Sequence, residues 1–199
     1  MLTANSAAIL IDCWDLNTPP SKVLYNNIIN FLNSNDQIKT VILASYNCWS
    51  ERNTQNIWWQ NNIDFFSKHQ SLRSIRDMWH MQKEYYQFSP NATSFNEEHT
   101  DPLILNYLNN TKYQIAMTET WELIHYLSKN PSIKNLYVCG LSWNECVKLR
   151  PLGYDALLEI PNVNVLANRL CLHDGWQYPD IDTDPNWHKV SDTTYQYVI

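Results

Sequence analysis

The sequence predicts an α/β fold: three layers, α/β/α, with a mostly parallel central sheet. Three observations lead there. Apolar runs of strand length recur along the chain, each run is continuous rather than alternating, and helical patterns separate them. A strand covered on both faces must be apolar on both, which removes the alternation. Strands that alternate with helices build parallel sheets through right-handed crossovers.

The first run is Ala7-Ala8-Ile9-Leu10-Ile11, ending at Asp12. Pro19-Pro20 then opens a helix over Ser21 to Asn33, with Val23, Leu24, Ile28, Ile29 and Leu32 at helical spacing. The second run is Thr40-Val41-Ile42-Leu43-Ala44. Between Cys48 and Asn110 the chain is polar and aromatic, with a helical stretch expected around Asn62 to Lys83 and a loop over Pro90 to Thr100. Leu123, Ile124 and Leu127 place a helix over Thr120 to Ser128, ahead of the third run, Leu136-Tyr137-Val138-Cys139, which ends at Gly140. A further helix is expected from about Asn144 past Pro151, bent by that proline. Val163 to Ala167 reads as a fourth strand, and the tail after His173, with Pro179, Pro185 and several Asp residues, reads as irregular.

With 199 residues and no linker or repeat, the chain reads as one domain. Only 3 glycines leave little room for a phosphate-cradling loop, whereas 9 Trp and 12 Tyr supply core volume and pocket walls. A net charge of -6 without a basic stripe argues against nucleic acid as a partner. The apolar run in the N-terminal region is too short to span a membrane, and no positive flank marks a signal peptide. Five cysteines at irregular spacing fit a reduced, cytoplasmic protein better than a disulfide framework. His69, His80, His99, His125, His173 and His188 show no paired ligand spacing, so neither a metal nor another cofactor is expected.

In a parallel sheet, ligands bind beyond the carboxyl ends of the strands. Asp12 stands at one such end, and Cys146 stands just past another, at the start of the expected helix. A thiol at a helix N-terminus feels the positive end of the dipole, which favours thiolate. A carboxylate can take its proton, and a lysine can stabilise the developing charge. Taken singly, the Asp is commonly a cap, the Cys core filler and a lysine a solvated charge. Trp14 and Trp143, each close to one of these residues, could stack on a planar substrate or pack against helices.

Ala8 to Asp12, together with Val138-Cys139-Gly140-Leu141-Ser142-Trp143-Asn144-Glu145-Cys146-Val147, resembles the isochorismatase-like cysteine hydrolases. In that family an apolar strand ends in the catalytic Asp, and the nucleophilic Cys lies six residues after a strand-terminal Gly. Lys112, ahead of Thr120 to Leu127, holds the place of the family's catalytic Lys, although Ile115-Ala116-Met117 departs from the usual sequence after it. The resemblance covers about 7–47 and 110–170 and leaves 48–110 and 173–199 unmatched. It implies a catalytic triad of Asp12, Lys112 and Cys146, and an oxyanion hole from the backbone N–H groups of Ser142 and Cys146 beyond a cis Leu141-Ser142 peptide. It also implies cleavage of an amide-type C–N bond in a small molecule through a thioester. Homo-oligomers are common in the family. Ser45 to Ser50 lacks the Asp-x-His metal element of its nicotinamidases. The competing expectation is a catalytically silent binding or regulatory protein on the same fold.

Overall fold

In the computed structural model, the residues described are 5–13, 18–44, 101–111, 113–117, 120–141, 143–148, 152–173, 181 and 184–198. They form an α/β structure around one seven-stranded mixed sheet. In chain order the elements are β1 (Asn5–Ile11), α1 (Pro19–Ser34), β2 (Ile38–Ala44), α2 (Pro102–Thr111), β3 (Tyr113–Ala116), α3 (Thr120–Lys129) and β4 (Ile133–Leu141). A π-helical turn (Trp143–Val147) follows, then α4 (Tyr154–Leu158), β5 (Asn164–His173), β6 (Trp187–Lys189) and β7 (Thr194–Tyr197).

The strands lie in the order β3-β2-β1-β4-β5-β7-β6. β1 runs parallel to both β2 and β4, β2 parallel to β3, and β4 parallel to β5. β7 is antiparallel to β5 and to β6. The first two apolar runs of the sequence therefore sit side by side, with the third against the other flank of β1. The buried side chains fall into two clusters that alternate along the strands, as the pleat requires. Ile9, Ile11 and Val138 share one cluster with Leu123, Tyr126 and Leu127 of α3 and Leu157 of α4. Ala8, Leu10 and Cys139 share the other with Leu24, Tyr25, Ile28 and Leu32 of α1 and Ile104 and Leu108 of α2.

Local chemistry explains the helix ends. Thr18 accepts a hydrogen bond from the Ser21 backbone N–H, the Ser21 side chain answers at the Thr18 N–H, and Pro19 and Pro20 occupy the first positions, where a missing N–H costs nothing. Asn130 ends α3 by donating from its side chain to the Tyr126 carbonyl, ahead of Pro131. The Tyr126 hydroxyl meets the Thr40 hydroxyl at 2.9 Å and ties α3 to β2.

Three expectations change. The helix expected from Asn144 is π-helical over Trp143–Val147 and helical again at Lys148, residues 149–151 lie outside the described residues, and a further helix starts at Tyr154 with Gly153 as its N-cap. The tail contains an antiparallel hairpin, β6–β7, that extends the sheet beyond β5. The fourth strand runs on to His173, because it carries extra residues: β4 advances two positions from Val138 to Gly140 while β5 advances from Ala167 to Leu172. The helix expected around Asn62 to Lys83 and the loop at Pro90 to Thr100 lie outside the described residues. No helix among the described residues is long and apolar enough to cross a membrane.

Candidate active site

β1 and β4 deliver the two chemical groups to one edge of the sheet. Ile11 pairs with Gly140, so Asp12 is one residue past that pair on β1, and the turn holding Cys146 begins three residues past it on β4. Adjacent strands lie about 4.8 Å apart, so both groups emerge at neighbouring carboxyl ends. Asp12 is buried and has a left-handed backbone, φ 50°. Aspartate tolerates that region better than most residues, but a non-glycine there is uncommon and concentrates at functional sites. Cys146 is in no disulfide, is only 3% exposed, and is packed in the cluster of Ile11, Met117, Trp143 and Val147.

Two of the chain's three glycines bracket this turn. Gly140 has φ 145°, and a Cβ there would lie 2.0 Å from the Ile11 carbonyl oxygen. A Cβ on Gly153 would lie 2.5 Å from the Lys148 carbonyl oxygen and 2.7 Å from that of Val147. Glycine at both places lets β1 close on β4 and lets the start of α4 press against the end of the turn.

Cys146 is the fourth residue of the π-helical segment rather than the first, so it lies away from the helix N-terminus on which the dipole argument relied. What holds the turn is aromatic packing. Trp143 lies 4.8 Å from the Tyr154 ring centroid and 5.3 Å from that of Trp187. Trp143 is buried among these rings. The Trp187 indole N–H is also buried and has no hydrogen-bond partner.

Other buried polar groups at this edge escaped the sequence reading. Asp101 donates its backbone N–H to the Cys13 carbonyl at 2.8 Å, and its carboxylate accepts from Leu103 N–H at the start of α2. Burial, Cys139, Asp12 and Asp101, in that order, push the Cys13 thiol well above its ordinary pKa. The hydrogen bond with Cys171, then burial, raises the Cys139 thiol in the same direction. Glu122 is buried in the first turn of α3, where the helix end favours an anion. His173, the last residue of β5, is buried opposite Leu141. The one signal for Glu122 is its place inside the apolar arc, four residues before Tyr126. Asp101 has a local signal of its own: an Asp directly before Pro102 and the apolar Leu103, Ile104, Tyr107 and Leu108 is an N-cap pattern.

Lys112, Trp14 and Ser142 lie outside the described residues, and with Ser142 goes the expected cis Leu141-Ser142 peptide. Of the expected triad, Asp12 and Cys146 are brought to one sheet edge. Among the described residues no group of three or more His, Cys, Asp or Glu is placed to hold a metal ion. No protein-family model, curated protein or solved structure matches the chain.

Proposed function

We propose that this chain is a cysteine-dependent hydrolase of the isochorismatase-like kind, built on a three-layer sheet that is parallel through its centre, and that it cleaves an amide-type C–N bond of a small molecule. The observation that carries the reading is the Ile11–Gly140 pairing, which sets Asp12 and the Cys146 turn at neighbouring strand ends. The flanking of the sheet by α1 and α2 in one cluster and by α3 and α4 in the other supports the layered arrangement.

In this mechanism Asp12 takes the Cys146 proton, and sulfur adds to the substrate carbonyl carbon. The C–N bond breaks, and the amine leaves with the proton from Asp12. Water then attacks the thioester, giving one proton to Asp12, which returns it to the departing sulfur. Lys112, by resemblance, steadies the charge on Asp12 and on the substrate, and the Ser142 and Cys146 N–H groups receive the oxyanion. The chain works without metal or cofactor, in the cytoplasm, as a monomer or homo-oligomer.

The test is ammonia release from a panel of small primary amides, with the intact mass watched for an acyl adduct on Cys146. The expected result is release from at least one amide by the unaltered protein and none by Cys146→Ala. Equal release by the Cys146→Ala protein overturns the nucleophile assignment. The 3% exposure of Cys146 favours a second reading, a catalytically silent binding protein on the same fold. No release from any amide, with binding of one of them detected by calorimetry, decides for it.

A further inference from the structure

The π-helical segment that holds Cys146 is a rare form seen mostly as single turns at functional sites, and helical stability in proteins comes mostly from tertiary packing, so the contacts around it bear on its geometry. Those contacts come from both directions along the chain. Tyr154 packs on the start of the segment, its ring centroid 4.8 Å from that of Trp143, and Lys148, just past the segment, places its Nζ 6.0 Å from the same ring centroid. Tyr154 and Trp143 are then covered from the C-terminal side. Trp187 stands 5.3 Å from Trp143 and 5.4 Å, edge to face, from Tyr154. Tyr197 backs Trp187 at 5.3 Å, also edge to face.

Trp187 is an unusual member of its strand. His188 and Lys189 are exposed, whereas Trp187 is 5% exposed and reaches the main cluster. Its N–H finds no acceptor, so a phenylalanine would avoid a desolvated donor at the same place. The hairpin is anchored independently, by β7 pairing with β5 through Ala167–Tyr195 and by the Arg169 N–H bonding to the Thr193 carbonyl.

We infer that the β6–β7 hairpin is a clasp that fixes the geometry of the Cys146 turn, with Trp187 as the positioning residue acting through Trp143 and Tyr154. The inference rests on the reading of Cys146 as a nucleophile only for its functional consequence. The structural claim, that the hairpin sets the turn, stands apart from it.

The experiment compares the unaltered protein with Trp187→Leu and Trp187→Phe. Two quantities are read: amide hydrogen exchange over 143–147, and the pH profile of iodoacetamide alkylation at Cys146, located by peptide mass spectrometry. In Trp187→Leu, exchange over 143–147 rises about tenfold or more while the β1 and β4 amides hold, and Cys146 alkylation at neutral pH changes by about tenfold. Trp187→Phe restores both. Exchange over 143–147 that matches the unaltered protein overturns the clasp. So does a uniform rise across β1 and β4, which marks global destabilisation. Should Trp187→Leu fail to fold, Tyr197→Leu is read in the same way. If Cys146 of the unaltered protein shows the pH midpoint of an ordinary thiol, the nucleophile reading fails, and the clasp is decided by the exchange alone.

Discussion

Gly140 pairs with Ile11 across β1 and β4 so closely that a methyl group on Gly140 would stand 2.0 Å from the Ile11 carbonyl oxygen. At φ 145° the backbone is also in a region that side chains rarely adopt. Gly140→Ala is therefore expected to cost at least about 3 kcal/mol, from backbone strain and from separation of the two central strands. Chemical denaturation measures it. A loss under about 1 kcal/mol would mean that β4 shifts freely.

Asp12→Asn tests the proton-transfer role without disturbing shape. Asparagine accepts the left-handed backbone at least as readily as aspartate, so the melting temperature should be kept. Turnover on an amide the protein cleaves should fall by about 10²–10⁴-fold. Turnover within about twofold of the unaltered protein removes Asp12 from the chemistry.

The buried Thr40–Tyr126 pair gives a double-mutant cycle. Tyr126→Phe strands the Thr40 hydroxyl and should cost about 1–3 kcal/mol. Adding Thr40→Val should recover part of that loss, because neither partner is then unsatisfied. Strict additivity of the two substitutions would show that the hydroxyls do not interact.

Stability should fall on the alkaline side. Cys13 and Cys139 have folded pKa values raised above the ordinary 9.0, and burial raises Tyr126 and Tyr137 above 10.0. A raised folded pKa means that the folded chain holds its proton where the unfolded chain has lost it. Below the ordinary values this contribution is fully present. It is lost as pH climbs from about 9 toward the folded values. The melting temperature should decline above about pH 9, and less steeply in a Cys13→Ala, Cys139→Ala double variant. A flat profile to about pH 10.5 would contradict the burial of these thiols.

Much of the sheet was legible because its central strands carry uninterrupted apolar runs. The sequence placed strands at 7–11, 40–44 and 136–139, and the structure extends each: Asn5–Ile11, Ile38–Ala44 and Ile133–Leu141. The added stretches bring in polar residues, and Lys39 and Lys134 sit at register irregularities where β2 and β4 each gain one residue on β1 before the pairing resumes. β3, β6 and β7 are too short for periodicity to speak. Thr194-Tyr195-Gln196-Tyr197 carries only the β-forming character of Thr and Tyr. At the site, the positions of Asp12 and Cys146 were legible from strand ends, and Asp101 as a helix cap ahead of Pro102, whereas the place of Asp101 beside Cys13 and of His173 opposite Leu141 depends on chain crossings that no local pattern records. The packing of Trp143 involves Trp187, 44 residues away in sequence, which no local pattern records.

The antiparallel hairpin also has a bearing on how the protein behaves in company. β5 has ten residues, several of them buried, and it would be the rim of the sheet if the chain stopped at His173. A long apolar rim with unpaired N–H and C=O groups recruits other strands. β7 covers Leu166 to Asn168 of that rim, and the outermost strand there is β6, three residues long with His188 and Lys189 facing solvent. A short charged rim offers little to a second molecule. The β6–β7 hairpin thus shortens the exposed rim, and a protein cut after His173 should precipitate at concentrations where the uncut protein stays dispersed.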